Sequence, residues 1–586
     1  MNKKITTSLL ATLLTTSTMM MYTIPVYAEN DTEPPSNESG TPPEKPDGDN
    51  GEVPEKPEGD SDNQPPEMGD GQAPQGGGAN TQTFDYSGSY SGTVTASGSE
   101  ESSSNETLEA TSSDQNVALA QDGGTLTIDN DTLNKSGDDT NGDNCNFYGL
   151  NSISLTVGSE SLTKISNSQL NATSEGSNAI FAADNSKVYA YKDTIETSAG
   201  NSRGLDATYG GTIIADSMTI GTSGEHSASV ATDRGGGNVS VTNSSLYTEG
   251  SGSPLLYSTG DIEADNVTGT ASGSQIAGME GLNNIYIYNS QLSSTNNAIT
   301  GSDPIKNGVI IYQSTSGDAD TSSSEKAKFE TSNSILSTTI DSGSMFYVTN
   351  TEANIVLSST LLSFDSDNVN LLQVEGNDSN SWGKAGSNGA TVKFTGLSET
   401  LNGNITVDSI SSADIYLLEK SSYTGATSIT ENKDSSESLD SNITMNVSSD
   451  SKWIVTSDST VTNLNVEEGG KIVDEDGKTV TIKNNGKTIV EGTSDYTVTV
   501  TGTYGTSFTT DEDNALSTNF IDRTEFDNTY NLSTTFSTNK NETVSEEEEE
   551  VEAEQSDDNS VVYVIAGVAT AVVVGTIAYI LLKKKK

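Results

Sequence analysis

Apolar residues recur through the middle of this 586-residue chain at a spacing of about 25, and that repeat restricts the fold more than any other feature. One series runs Leu170, Ile195, Ile220, Leu246, Val267 and Leu292. A second runs Ile180, Leu205, Val230, Leu255, Ile276 and Ile299, and a third Val188, Ile213, Val239, Ile262, Ile285 and Ile310. Three series sharing one period describe a coil with three inward-facing strands, each coil stacked on the next. Inside the strands the pattern alternates, as in Val188-Tyr-Ala-Tyr191, Val239-Ser-Val-Thr242 and Ile285-Tyr-Ile-Tyr288. That is the period of a half-buried strand, not of a helix. Successive coils must pair in parallel, and the crossover preference makes the winding right-handed. The expectation is an all-β chain: a right-handed parallel β-helix, a three-sheet solenoid, over residues 123–506, with an N-terminal cap and first strands at 81–122.

Asparagine supports this register. It stands three positions before the core residue at Asn130, Asn167, Asn243, Asn289 and Asn333. Asparagine tolerates the left-handed backbone of a tight turn, and stacked amides can hydrogen-bond from rung to rung. These residues read as a structural turn ladder.

Composition fits a thin core. Hydrophobic residues are 31% of the chain, well below a globular norm of roughly 45–50%. The net charge of -56, from 84 acidic and 28 basic residues, repels nucleic acid, so a DNA or RNA partner is set aside. A single cysteine, Cys145, excludes an internal disulfide framework, and a lone His226 removes most zinc and triad chemistry.

The flanks carry targeting signals. Residues 1–28 read as a signal peptide cleaved after Ala28, and 29–80 as a disordered linker holding ten of the 13 prolines. Residues 507–560 read as a polar acidic tether. The uncharged run 561–582 is long enough for a single transmembrane helix, and the lysines at 583–586 place its end in the cytoplasm. The expected location is therefore the cell membrane, with the ectodomain outside.

Gly210-Gly-Thr-Ile-Ile-Ala-Asp216, Gly235-Gly-Gly-Asn-Val-Ser-Val-Thr-Asn243 and Trp453-Ile-Val-Thr-Ser-Asp-Ser-Thr-Val461 resemble pectate-lyase-like β-helices, in particular adhesin-like bacterial surface proteins. The Trp453 segment, followed by Leu464-Asn-Val and Gly469-Gly470, also resembles late rungs of autotransporter passengers. The resemblance covers about residues 120–505 and specifies fold far better than function. It implies that an enzyme of this kind would use clustered acids for calcium and a basic residue as catalytic base.

The weak catalytic candidates are Arg203, Asp206, Asp233 and Arg234. Relative to Leu205 and Val230 the aspartates stand at +1 and +3 and the arginines at -2 and +4, so they occupy no equivalent positions and read as ion pairs holding turns. No cofactor is required. Structural calcium would suit the oxygen-rich turns at Asp129, Asp131, Asp474 and Asp476, although none completes a known calcium loop. Aromatic contacts for a carbohydrate would come from Tyr189, Tyr191, Tyr286 and Tyr288, which point outward, and from Trp382 in a Gly- and Ser-rich insertion. The favoured function is a membrane-anchored, non-enzymatic adhesin binding extracellular carbohydrate or a surface protein. The alternatives are a polysaccharide lyase or glycoside hydrolase of the pectate-lyase-like fold, and a structural envelope spacer. Insertions near 134–150, 313–327 and 375–389 interrupt the rungs, and a specific activity belongs there.

Overall fold

The computed structural model describes residues 82–536, apart from 302, 320–325, 380–381 and 535. The signal, linker, transmembrane and lysine segments lie outside the described residues, as does the tether beyond 536. Among the described residues no helix is long and apolar enough to cross a membrane.

Each rung contributes one strand to each of three sheets. The first is Gly92–Ser97, Glu100–Ser104 and Thr107–Ala110, so the β-helix begins within the stretch expected to hold its cap and first strands. Sheet A stacks 13 strands from Gly92–Ser97 to Thr427–Thr430, sheet B 15 from Glu100–Ser104 to Tyr504–Gly505, and sheet C ten from Thr107–Ala110 to Leu361–Ser363. Apart from the last pair of sheet B, every strand in these sheets pairs in parallel with the strand three places along the chain, as a solenoid requires. Two four-stranded sheets follow, and an antiparallel pair, Thr481–Asn484 with Lys487–Val490, stands at the edge of the last. The fold is a parallel β-helix. One continuous apolar cluster threads it from Ala96 to Val500, a line of core that 31% hydrophobic residues can supply.

The register corrects five positions of the repeat: Val267, Leu255, Ile276, Ile299 and Ile310. In sheet C the column runs Leu170, Ile195, Ile220, Leu246, Gly269, Leu292, with Gly269 where Val267 was expected. A Cβ on Gly269 would come within 2.8 Å of Leu255 Cδ1, so Leu255 fills that gap from another wall. In sheet A the column is Val230, Leu256, Ala277, Val309; Ile299 lies on a connecting segment and is 54% exposed. In sheet B Phe329 follows Ile285, and Ile310 belongs to sheet A. Connections of unequal length carry apolar residues of their own, which mimic the period without sharing the wall.

The asparagine ladder has left-handed backbone at every rung, with φ of 58° at Asn130, 52° at Asn167, 51° at Asn243, 50° at Asn289 and 48° at Asn333. Asn130 donates to Asn105 Oδ1 at 2.7 Å, and Asn266 to Asn243 Oδ1 at 2.6 Å. Asn167, Asn243 and Asn289 donate instead to Asp129, Asp216 and Asp265.

Residues 507–536 correct the expectation of a tether. They fold back as a strap along the outer face of sheet B, towards the N-terminal rungs. Asp511 pairs with Lys393 at 2.7 Å, Ser517 N donates to Glu330 at 2.9 Å, and Ile521 N to Glu263 at 2.6 Å. A short helix, Thr524–Tyr530, then sets Phe526 against Tyr189 and Tyr530 against Tyr191. Phe520 and Phe536 cover Tyr288, and Phe520 also meets Tyr286. Arg523, 3% exposed, is the central anchor: its guanidinium donates to Ser240 O and Oγ, Ala215 O and Thr242 Oγ1 at 2.8–3.0 Å. Scattered aromatics in a polar stretch were the signal for this strap, and their partners lie on the sheet they cover.

Candidate functional site

One outward column of sheet A reads Asp206, Ala231, Tyr257, Gly278, Ile310, Tyr347. The small residues Ala231 and Gly278 leave a depression between larger neighbours. A Cβ on Gly278 would meet nothing closer than 3.6 Å, and its φ is not left-handed, so the strand does not demand glycine there. The depression is the floor of a cleft of about 320 Å³.

Its walls come from the insertions. The first folds into a helix, Gly142–Tyr148, capped at its start by the Asn141 side chain and at its end by Gly149. Gly149 has φ 74°, and a Cβ there would strike Leu155 at 2.5 Å and Phe181 at 2.7 Å, so this turn does require glycine. The helix sets Phe147 at the cleft edge. The second insertion supplies Asp318, and the third Trp382, whose ring stacks on Tyr312 at 4.4 Å with 7° between planes. The connection 295–306, which the repeat did not mark out, adds Thr300, Gly301 and Asp303. All three expected insertions thus reach one cleft.

The expected charged residues meet here too. Arg203 Nη1 lies 3.0 Å from Asp206 and its Nη2 2.9 Å from Asp233, all three nearly inaccessible. Burial opposes the Arg203 charge, yet the two carboxylates outweigh it and hold the guanidinium firmly protonated. One cation cannot neutralise two buried acids, so burial raises both carboxyls above the ordinary range despite Arg203. Arg234 pairs with Asp318 at 2.6 Å and lies 3.5 Å above the Phe147 ring. Asp303 takes one hydrogen bond, from Asn307 Nδ2 at 2.9 Å, and burial pushes its pKa up to about 7. Behind the wall, Tyr257 donates to Glu280 at 3.0 Å.

The other candidates lie elsewhere. Tyr189, Tyr286 and Tyr288 do point out from sheet B, but the strap leaves them 3%, 9% and 0% exposed and Tyr191 half-buried, which removes them as an open platform. Trp382, expected on an exposed insertion, is 4% exposed and forms a cleft wall. Asp129 accepts from Ser166 and Asn167, and Asp131 from the Glu106 N–H. Asp474 accepts from the N–H groups of Asp476 and Lys478, and Asp476 pairs with Lys478. Among the described residues no three His, Cys, Asp or Glu side chains are grouped to hold a metal ion. Cys145 is buried in the first insertion, where burial pushes its thiol up, away from nucleophilic use.

The chain matches no known protein family and no curated protein.

Proposed function

We propose that the protein is a cell-surface adhesin, held to the membrane by residues 561–582, and that it binds carbohydrate in the sheet A cleft. The observation that carries this reading is the convergence of three otherwise unrelated insertions on one aromatic and polar cleft. A stacked sugar ring needs an aromatic wall, which Tyr312, Trp382 and Tyr257 supply, and polar groups in fixed positions beside it, which Asp303, Asp233, Gln275 and Asn201 supply. The strap's last described aromatic, Phe536, packs on Tyr288 in the eighth of the 15 strands of sheet B.

The test is a glycan-array screen of the full chain beside Trp382→Ala, with circular dichroism to check the fold. Binding to a defined set of glycans that the substitution reduces at least tenfold supports the reading. An empty array, or undiminished binding by the variant, overturns it.

A hydrolase remains the second reading, because Asp233 and Asp303 are two carboxyls of raised pKa lining one cleft, the pairing that general acid–base chemistry uses. Release of reducing sugar, abolished by Asp233→Ala, would establish it. A lyase fares less well: Arg203 is locked as a cation by two carboxylates and cannot serve as a base.

A further inference from the structure

The charges lining the cleft do not balance, and the imbalance has one sign. Arg203 is the only arginine or lysine among the lining residues, against Asp233, Asp303 and Asp318. Its guanidinium is already shared between Asp206 and Asp233, so it has no free face for an incoming anion. Arg234, just behind, is consumed by Asp318 and by the Phe147 ring. Asp303 has no ion-pair partner among the described residues and is served by one amide. It shares the cleft with the Tyr312–Trp382 stack and the half-buried Tyr257.

An acid without a counter-charge, set among aromatic rings, is an arrangement that an incoming cation both ionises and occupies: the cation displaces the proton that burial retains and is held by direct charge and by the ring quadrupoles. The chain's net charge of -56 adds a long-range field of the same sign. The geometry points to a cleft that selects saccharides bearing a free, protonated amine, with Asp303 receiving the ammonium group beside the Tyr312–Trp382 stack. This deepens the carbohydrate reading and rests on it. Uronic-acid polymers, whose carboxylates would meet Asp303 and Asp233 with no arginine or lysine free to pair with them, are disfavoured by the same inventory.

The test is calorimetric titration of the full chain with four probes: a glucosamine tetramer, its fully N-acetylated counterpart, a galacturonic acid tetramer, and a simple aliphatic diamine. The glucosamine tetramer is expected to bind at least tenfold more tightly than the acetylated one, with affinity falling as salt rises. Asp303→Asn, close to isosteric and checked by circular dichroism, is expected to erase that preference. Equal or tighter binding of the acetylated or acidic tetramer overturns the amine selection while leaving carbohydrate binding standing. If the diamine matches the glucosamine tetramer, recognition of the charge survives and the carbohydrate reading falls. If no probe binds, both fall.

Discussion

At the residue scale, the turns of the β-helix are held by side chains that reach one rung back. Sequence made half of this visible. Asn167, Asn243, Asn289 and Asn333 stood out because few residues accept a φ near 50°. The serine following each was missed, although it does comparable work: Ser244 Oγ accepts from Met218 N at 2.9 Å, Ser290 Oγ from Val267 N at 2.9 Å, and Ser334 Oγ from Ser290 N at 3.1 Å. A second serine column, in which Ser202 accepts from Ser177 N, Ser227 from Ser202 N and Ser253 from Ser227 N, has the same role at another corner. Serine is so frequent in this chain that only the three-dimensional register separates these from solvent-facing ones. Removing the Ser202 hydroxyl leaves a buried N–H without a partner, so Ser202→Ala should cost about 1–3 kcal/mol. Asn243→Ala should cost about 1–2 kcal/mol through its left-handed backbone, and Asn243→Gly clearly less. Thermal unfolding of the three variants checks this ranking. An alanine at 243 as stable as glycine would contradict it.

At the element scale, the strap and the cleft differ in how far sequence could foresee them. The strap's apolar residues, Phe508, Leu516, Phe520, Phe526, Tyr530 and Phe536, follow neither a 2.0 nor a 3.6 period, because they match pockets spaced by rungs of another part of the chain. The insertions were legible as breaks in the repeat. That Phe147, Asp318 and Trp382 face one another was not, since it depends on how many rungs separate them and on which sheet each insertion leaves. The ion pairs of Arg203 were expected as contacts that hold turns, but their place in the cleft was not legible: offsets from the core do not describe a long side chain that spans rungs. Arg523→Ala is expected to release the strap while the rungs persist. Limited proteolysis should then cut within 507–536 at least tenfold faster, with strand content by circular dichroism unchanged. Unaltered cleavage would show that Arg523 is not the anchor.

At the scale of the whole molecule, a line of core roughly 70 Å long, fifteen strands at ~4.8 Å apart, carries a strongly acidic surface. Several acids are also drawn inside. Burial pushes Asp193 up to about 8, and Glu263, Asp303 and Glu399 each to about 7. Each of these groups holds its proton in the folded chain at a pH where the unfolded chain has released it. The stability they confer is therefore fully present below the ordinary carboxyl range near pH 4 and is lost as pH rises to 7–8, each tenfold gain in proton affinity on folding being worth ~1.4 kcal/mol. Mutual repulsion among the surface acids acts in the same direction. The unfolding temperature should be higher at pH 5 than at pH 8, and the reverse order would refute this account of the buried acids.

The central claim is that insertions from distant rungs build one binding site on sheet A. Hydrogen–deuterium exchange of the full chain, with and without saturating glucosamine tetramer, tests it most directly. The claim predicts slowed exchange on binding in 142–149, 254–257, 275–280, 300–301, 312–318 and 382–389 together, with sheet C and the strap unchanged. Protection confined to sheet C or to the strap, with those six segments unaffected, would contradict it.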